Sequence, residues 1–130
     1  MEHDRVLVVD DDPIILRLVS MNLQARGFEV TTANDGESAL KSAGERLPDL
    51  VILDIMMPGL DGFEVCRQIR TQSSIPVIML SAKAGVKDKE AATEVGADDY
   101  VIKPFGIEDL LARVRAALRQ KLASDVNYDS

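Results

Sequence analysis

Short apolar runs alternate along this chain with longer segments whose apolar residues recur at helical spacing, a pattern that predicts five strand–helix units around a parallel sheet. The predicted strands cover residues 6–9, 28–33, 50–53, 77–80 and 100–102. Four are continuously apolar, as strands covered by helices on both faces should be. The run FEVTTA at 28–33 alternates apolar and polar residues and is therefore placed at a sheet edge. A single α/β domain fits this layout and the chain's length of 130 residues.

The helices carry their own signals. Asp12 before Pro13 reads as an N-cap with proline at the first helical position, followed by a stripe of Ile15, Leu18, Val19 and Leu23 that Gly27 ends. A second helix starts near Asp35 and Gly36, turns Ala39, Leu40 and Ala43 inward, and stops before Pro48. The third follows the loop MMPGLDG, with Val65, Cys66 and Ile69 on one side. The fourth, around residues 87–95, has a thin apolar stripe and should be the least firmly anchored. The fifth is the most regular, with Ile107, Leu110, Leu111, Val114 and Leu118 inward. Periodicity is lost after Lys121, so the domain is assigned to 1–121 and residues 122–130 to a C-terminal tail or the start of a linker.

Composition narrows the function. A net charge of -7 argues against direct nucleic acid binding by this domain, because the phosphate backbone would repel it. The lone Cys66 excludes an intrachain disulfide and a thiolate zinc site, and fits a reducing compartment. No run approaches the roughly 18 apolar residues of a membrane span, and the charged start MEHDR has no apolar leader before it. The expectation is a soluble, cytoplasmic protein without membrane contact.

In open α/β sheets ligands bind beyond the carboxyl ends of the strands. Here those ends carry Asp10, Asp11 and Asp12 after the first strand, Asp54 after the third, Ser81 after the fourth and Lys103 after the fifth. Singly, each has an ordinary explanation: a cap, a turn residue, a hydroxyl bonded to local backbone, a solvated lysine. Together they gather carboxylates, a hydroxyl and an ammonium on one edge. If the first and third strands are neighbours, their acids can share a hard cation, and magnesium suits one or two carboxylates completed by waters and phosphate oxygens.

The motifs VLVVDDDP, LVILDIMMPGLDGFE, PVIMLSAK and GADDYVIKPF, in that order, resemble the receiver domains of bacterial two-component response regulators, the CheY-like family. The resemblance covers about residues 4–121 and implies a flavodoxin-like (βα)5 fold with strand order 2-1-3-4-5. It implies that Asp54 is the phosphoacceptor, Asp11 a direct magnesium ligand, Asp10 a ligand through water, and the Met56 backbone carbonyl a third protein ligand; manganese is the alternative ion. Lys103 and Ser81 would each bond a phosphoryl oxygen, and Tyr100 would move with Ser81 as a coupled switch. Pro104 resembles the family's cis proline. Met56 and Lys83 occupy positions that, in the family it resembles, flank the phosphoryl group and tune its hydrolysis; neither is an acid or amide suited to orienting a water, so the resemblance implies slow loss of phosphate.

The implied partner is a sensor histidine kinase. Lys89, Glu90, Asp99, Asp109, Arg113 and Arg115 resemble the set through which regulators of the winged-helix transcription factor subgroup dimerise, by the fourth helix, fifth strand and fifth helix. Asp109 and Arg113 also stand four apart, the spacing of an intrahelical pair. The reading is therefore a phosphoaccepting switch that modifies itself, not a turnover enzyme, controlling an output such as transcription through a domain outside these residues. The alternatives are a stand-alone or pseudo-receiver binding module and, with less support, a magnesium-dependent phosphohydrolase. The intact acid, hydroxyl and lysine set opposes a pseudo-receiver, and Met56, where such hydrolases carry a second acid, opposes the other.

Overall fold

The structure, a computed structural model, describes residues 4–129, with side chains through Leu122. Five strands, β1 (Arg5–Val9), β2 (Glu29–Ala33), β3 (Leu50–Asp54), β4 (Val77–Ser81) and β5 (Asp99–Ile102), form one parallel sheet in the order β2-β1-β3-β4-β5. They alternate with α1 (Pro13–Ala25), α2 (Gly36–Glu45), α3 (Gly62–Arg70), α4 (Val86–Glu94) and α5 (Ile107–Asp129). The alternating strand β2 lies at an edge, as its pattern predicts.

Successive strand residues face opposite sides, so the sheet splits the core in two. Leu7, Val9, Val51, Leu53, Val77 and Met79 pack with Ala39 and Ala43 of α2, Val65, Cys66 and Ile69 of α3, and Ala92 of α4. Val6, Val8, Leu50, Ile52, Ile78, Leu80 and Val101 pack with Val19 and Leu23 of α1 and Leu110, Leu111 and Val114 of α5. Burying one such aliphatic side chain contributes roughly 1.5–3 kcal/mol. Three on α5 against the single alanine of α4 make α4 the weakly anchored helix, as its thin stripe indicates.

One expectation is corrected. Leu18 is 42% exposed: the buried stripe of α1 runs through Val19 and Leu23, while Ile14, Leu18 and Met21 share its outer side. The helix α5 continues to Asp129, so the backbone of residues 122–129 is helical. Ser130 lies outside the described residues.

Candidate functional site

The sheet register builds the site. Val9 pairs with Leu53, so Asp10, next along the chain, comes out beside Asp54, the last residue of β3. Ser81 pairs with Ile102, which brings Lys103 onto the same edge. The helix that follows β1 is capped by Asp12, whose side chain accepts the Ile14 N–H at 2.9 Å, with Pro13 starting the helix. Of the opening acid triplet, then, one member is spent on the helix.

The other two join Asp54. Carboxylate oxygens of Asp10, Asp11 and Asp54 lie within 4.8 Å of one another. Asp10 is fully buried, and both its oxygens are engaged: Oδ1 accepts the Asp12 N–H at 2.9 Å and Oδ2 accepts from Lys103 Nζ at 2.9 Å. Asp11 is exposed. Asp54 is 3% exposed, and its contacts among the described residues fall on Oδ1, with the Met56 N–H and Lys103 Nζ both at 3.4 Å. Its second oxygen is thus the one carboxylate oxygen of this buried pair that no described donor holds.

The charges oppose one another. Burial, reinforced by the neighbouring Asp10 carboxylate, pushes the Asp54 carboxyl up to about 6, and Lys103 only partly offsets this. For Lys103 burial works against the ammonium, yet hydrogen bonding and attraction to Asp10, then Asp54, raise it overall. Crowded carboxylates beside a single ammonium make a site that gains from a further hard cation, and an all-oxygen donor set fits magnesium or manganese better than a soft metal.

The rim of the site is a chain of hydrogen bonds. Ser81, 1% exposed, accepts the Lys83 N–H on Oγ at 3.0 Å, which leaves its hydroxyl proton to donate elsewhere. The Lys83 carbonyl in turn accepts the Tyr100 hydroxyl at 2.7 Å. Lys83 therefore links Ser81 to Tyr100 through its backbone, a role that its side chain does not signal in the sequence. The Lys103–Pro104 peptide is cis. Met56 is 52% exposed.

The six residues of the expected dimer face do not act alike. Arg113 is paired within the chain, Nη1 to Asp99 Oδ1 at 2.7 Å and Nε to Asp109 Oδ2 at 3.2 Å. The Asp99 pair ties β5 to α5, whereas the Asp109 pair lies within α5; attraction to both carboxylates raises the guanidinium above its ordinary value in spite of burial. Lys89, Glu90 and Arg115 are exposed.

The family model described as response regulator receiver domain matches residues 6–115. Over 119 residues the chain is 50% identical to the alkaline phosphatase synthesis transcriptional regulatory protein PhoP of Bacillus subtilis, covering 91% of this chain and 50% of that protein. It is 47% identical to the DNA-binding response regulator MtrA of Mycolicibacterium smegmatis, covering 91% and 52% respectively. The chain thus spans about half the length of the curated relatives it matches. Among solved structures, the BeF3-activated DrrB receiver domain is 41% identical with a TM-score of 0.84, over 90% of this chain and 98% of that one. The chemotaxis protein CheY4 of Vibrio cholerae is 37% identical with a TM-score of 0.85, over 88% and 98%.

Proposed function

The chain belongs to the response regulator receiver domain family, and from that premise we propose that Asp54 accepts a phosphoryl group from the phosphohistidine of a sensor kinase in a magnesium-dependent reaction. The observation that carries the proposal is the meeting of Asp10, Asp11, Asp54 and Lys103 at one sheet edge, where the second Asp54 oxygen is the one of the buried carboxylate pair that no donor among the described residues holds. Asp11, Asp54 and the Met56 carbonyl would hold the ion, and Asp10 would reach it through water. When bound, the ion supplies positive charge to the phosphoryl oxygens.

The protein's own groups do the rest. The Asp54 carboxylate attacks phosphorus in line with the leaving imidazole nitrogen of the donor; the new O–P bond forms as the N–P bond breaks. Lys103 neutralises charge on a transferring oxygen, and the Ser81 hydroxyl donates to another. The Ser81 hydroxyl can donate while still accepting the Lys83 N–H, and the Tyr100 hydroxyl bond to the Lys83 carbonyl lets a shift of Ser81 toward the phosphoryl group reach β5 and α4. Water attack on the acyl phosphate returns Asp54, with Met56 and Lys83 offering no acid or amide to speed it.

The receiver unit is assigned to residues 1–121, with 122–130 leading toward a further region of the whole protein. The output is transcriptional, by analogy with the regulators it resembles, and phosphorylation promotes a homodimer through α4, β5 and α5. Because Arg113 already serves Asp99 and Asp109, dimerisation would extend or exchange these pairs rather than satisfy a free charge. A phosphorylated protein that stays monomeric in sedimentation at high concentration would contradict the dimer.

Incubation with acetyl phosphate tests the central step. Intact mass should show one added phosphoryl group with magnesium and none after chelation or in Asp54→Asn. An adduct that persists in Asp54→Asn would remove Asp54 from the role.

A further inference from the structure

The loop between β3 and α3, residues 55–61, carries Met56 and is fastened at both ends to one atom. The Ile55 carbonyl accepts the Met57 N–H at 3.1 Å and the Gly62 N–H at 3.0 Å. The peptide bearing the Met56 carbonyl is therefore enclosed in a turn whose exit returns to its entrance. This closure requires α3 to begin directly against the strand end. A Cβ built on Gly62 would stand 2.6 Å from the Asp54 carbonyl oxygen and 2.7 Å from Ile55 Cα. Carbon–oxygen contacts settle at about 3.3–3.6 Å, so a side chain there must push the strand end and the helix apart.

The first residue of α2 makes a second contact of this kind. A Cβ on Gly36 would lie 2.6 Å from the Leu60 carbonyl oxygen and 2.8 Å from Val65 Cγ2. Neither glycine has the positive φ that would demand glycine for its backbone; among the described residues those are Gly27, Gly59 and Gly96. Space, not conformation, selects glycine at both positions. Gly44, inside α2, supplies the contrast, since a Cβ there meets nothing within 4 Å.

We propose that Gly62, supported by Gly36, is a positioning residue for divalent metal binding: it lets the β3–α3 loop close so that the Met56 peptide and the Asp54 carboxylate are set in place before an ion arrives. The proposal rests on the assignment of Asp54 and Met56 as ligands made above. A displacement of half an ångström or more at the Asp54 backbone separates donors that must converge on a small ion of strict geometry.

Magnesium titration by calorimetry, with melting temperature recorded beside it, separates positioning from general destabilisation. Gly62→Ala should weaken magnesium binding at least about tenfold. Ile78→Val, a core change remote from the loop, and Gly44→Ala should keep the unaltered affinity, whatever their melting temperatures. A folded Gly62→Ala protein with unaltered affinity would overturn the proposal. The unaltered protein provides a test independent of folding: in metal-free solution the Met57 and Gly62 amides should exchange slowly, and magnesium should change them little. Fast exchange that slows only with magnesium would mean that the ion orders the loop, which also overturns the proposal. If the unaltered protein bound no magnesium, the ligand assignment itself would fall, and this would be seen before any substitution was made.

Discussion

The two walls flanking Asp54 are built differently. The β3–α3 loop is closed on the Ile55 carbonyl at both ends, Asp61 caps α3 through the Glu64 N–H at 3.0 Å, and α3 buries Val65, Cys66 and Ile69. The β4–α4 wall has exposed residues from Ala82 to Val86, a helix whose N-cap Gly85 offers no side-chain bond, and one buried alanine. Its ties to the site are the Lys83 N–H on Ser81 and the Tyr100 hydroxyl on the Lys83 carbonyl. A fixed wall suits the positioning of ligands, whereas a wall held by a few exchangeable hydrogen bonds can be moved by a new acceptor at the site.

The farther end of α4 adds to the contrast. Arg70, at the end of α3, donates to the Gly96 and Ile75 carbonyls at 3.0 and 2.7 Å and pairs with Asp98 at 2.8 Å, while Cys66 Sγ donates to the Val95 carbonyl at 3.3 Å. The C-terminal end of α4 is thereby tied to the firm side of the molecule, and its N-terminal end is left beside the site.

The largest effect should come from Lys103→Met, which leaves Asp10 and Asp54 buried without their ammonium. Breaking a buried pair in this way costs about 3–5 kcal/mol, so urea unfolding of the metal-free protein should show a loss of about 3 kcal/mol that magnesium partly restores. An equal loss with and without magnesium would mean that the ion does not share these carboxylates.

Asp54→Asn should act in the opposite direction. With its carboxyl at about 6 in the fold against an ordinary 3.8, Asp54 is more readily protonated folded than unfolded, so its proton-linked stabilisation is full below 3.8 and lost as pH rises through about 6. At pH 7 the metal-free variant should therefore be more stable by on the order of 1–3 kcal/mol, an advantage that shrinks toward pH 4. Thermal melts across that window check the sign; an advantage that grows on acidification would contradict the origin assigned to the shift.

Smaller effects belong to the looser wall. Tyr100→Phe removes one hydrogen bond, worth about 1 kcal/mol or less globally, but should speed amide exchange at residues 83–88 while leaving Met57 and Gly62 unchanged. Gly85→Ser should add an N-cap to α4 for a few tenths of a kcal/mol. If it slowed exchange across the β3–α3 loop as well, the two walls would not be independent.

The strands and the acid site were legible because both depend on local arithmetic: apolar runs mark buried strands, and the residue after each run falls on the carboxyl edge. The side of α1 occupied by Leu18 was not, since Ile14, Leu18 and Met21 form an apolar stripe as regular as the one that is buried. The pairing of Arg113 with Asp99 joins α5 to β5 across tertiary space, where i, i+4 spacing reveals only Asp109. The work of Gly62 was hidden for the same reason. A glycine before a helix suggests a flexible turn, and only the approach of the β3 backbone shows that it is there for space.

Of three neighbouring acids, Asp54 is the one proposed to take the phosphoryl group. Borohydride reduces an acyl phosphate to an alcohol and so marks the residue that carried it. After reaction with acetyl phosphate and magnesium, peptide mass spectrometry should find homoserine at position 54 alone; a mark at Asp10 or Asp11, or one at 54 formed equally without magnesium, would contradict the account.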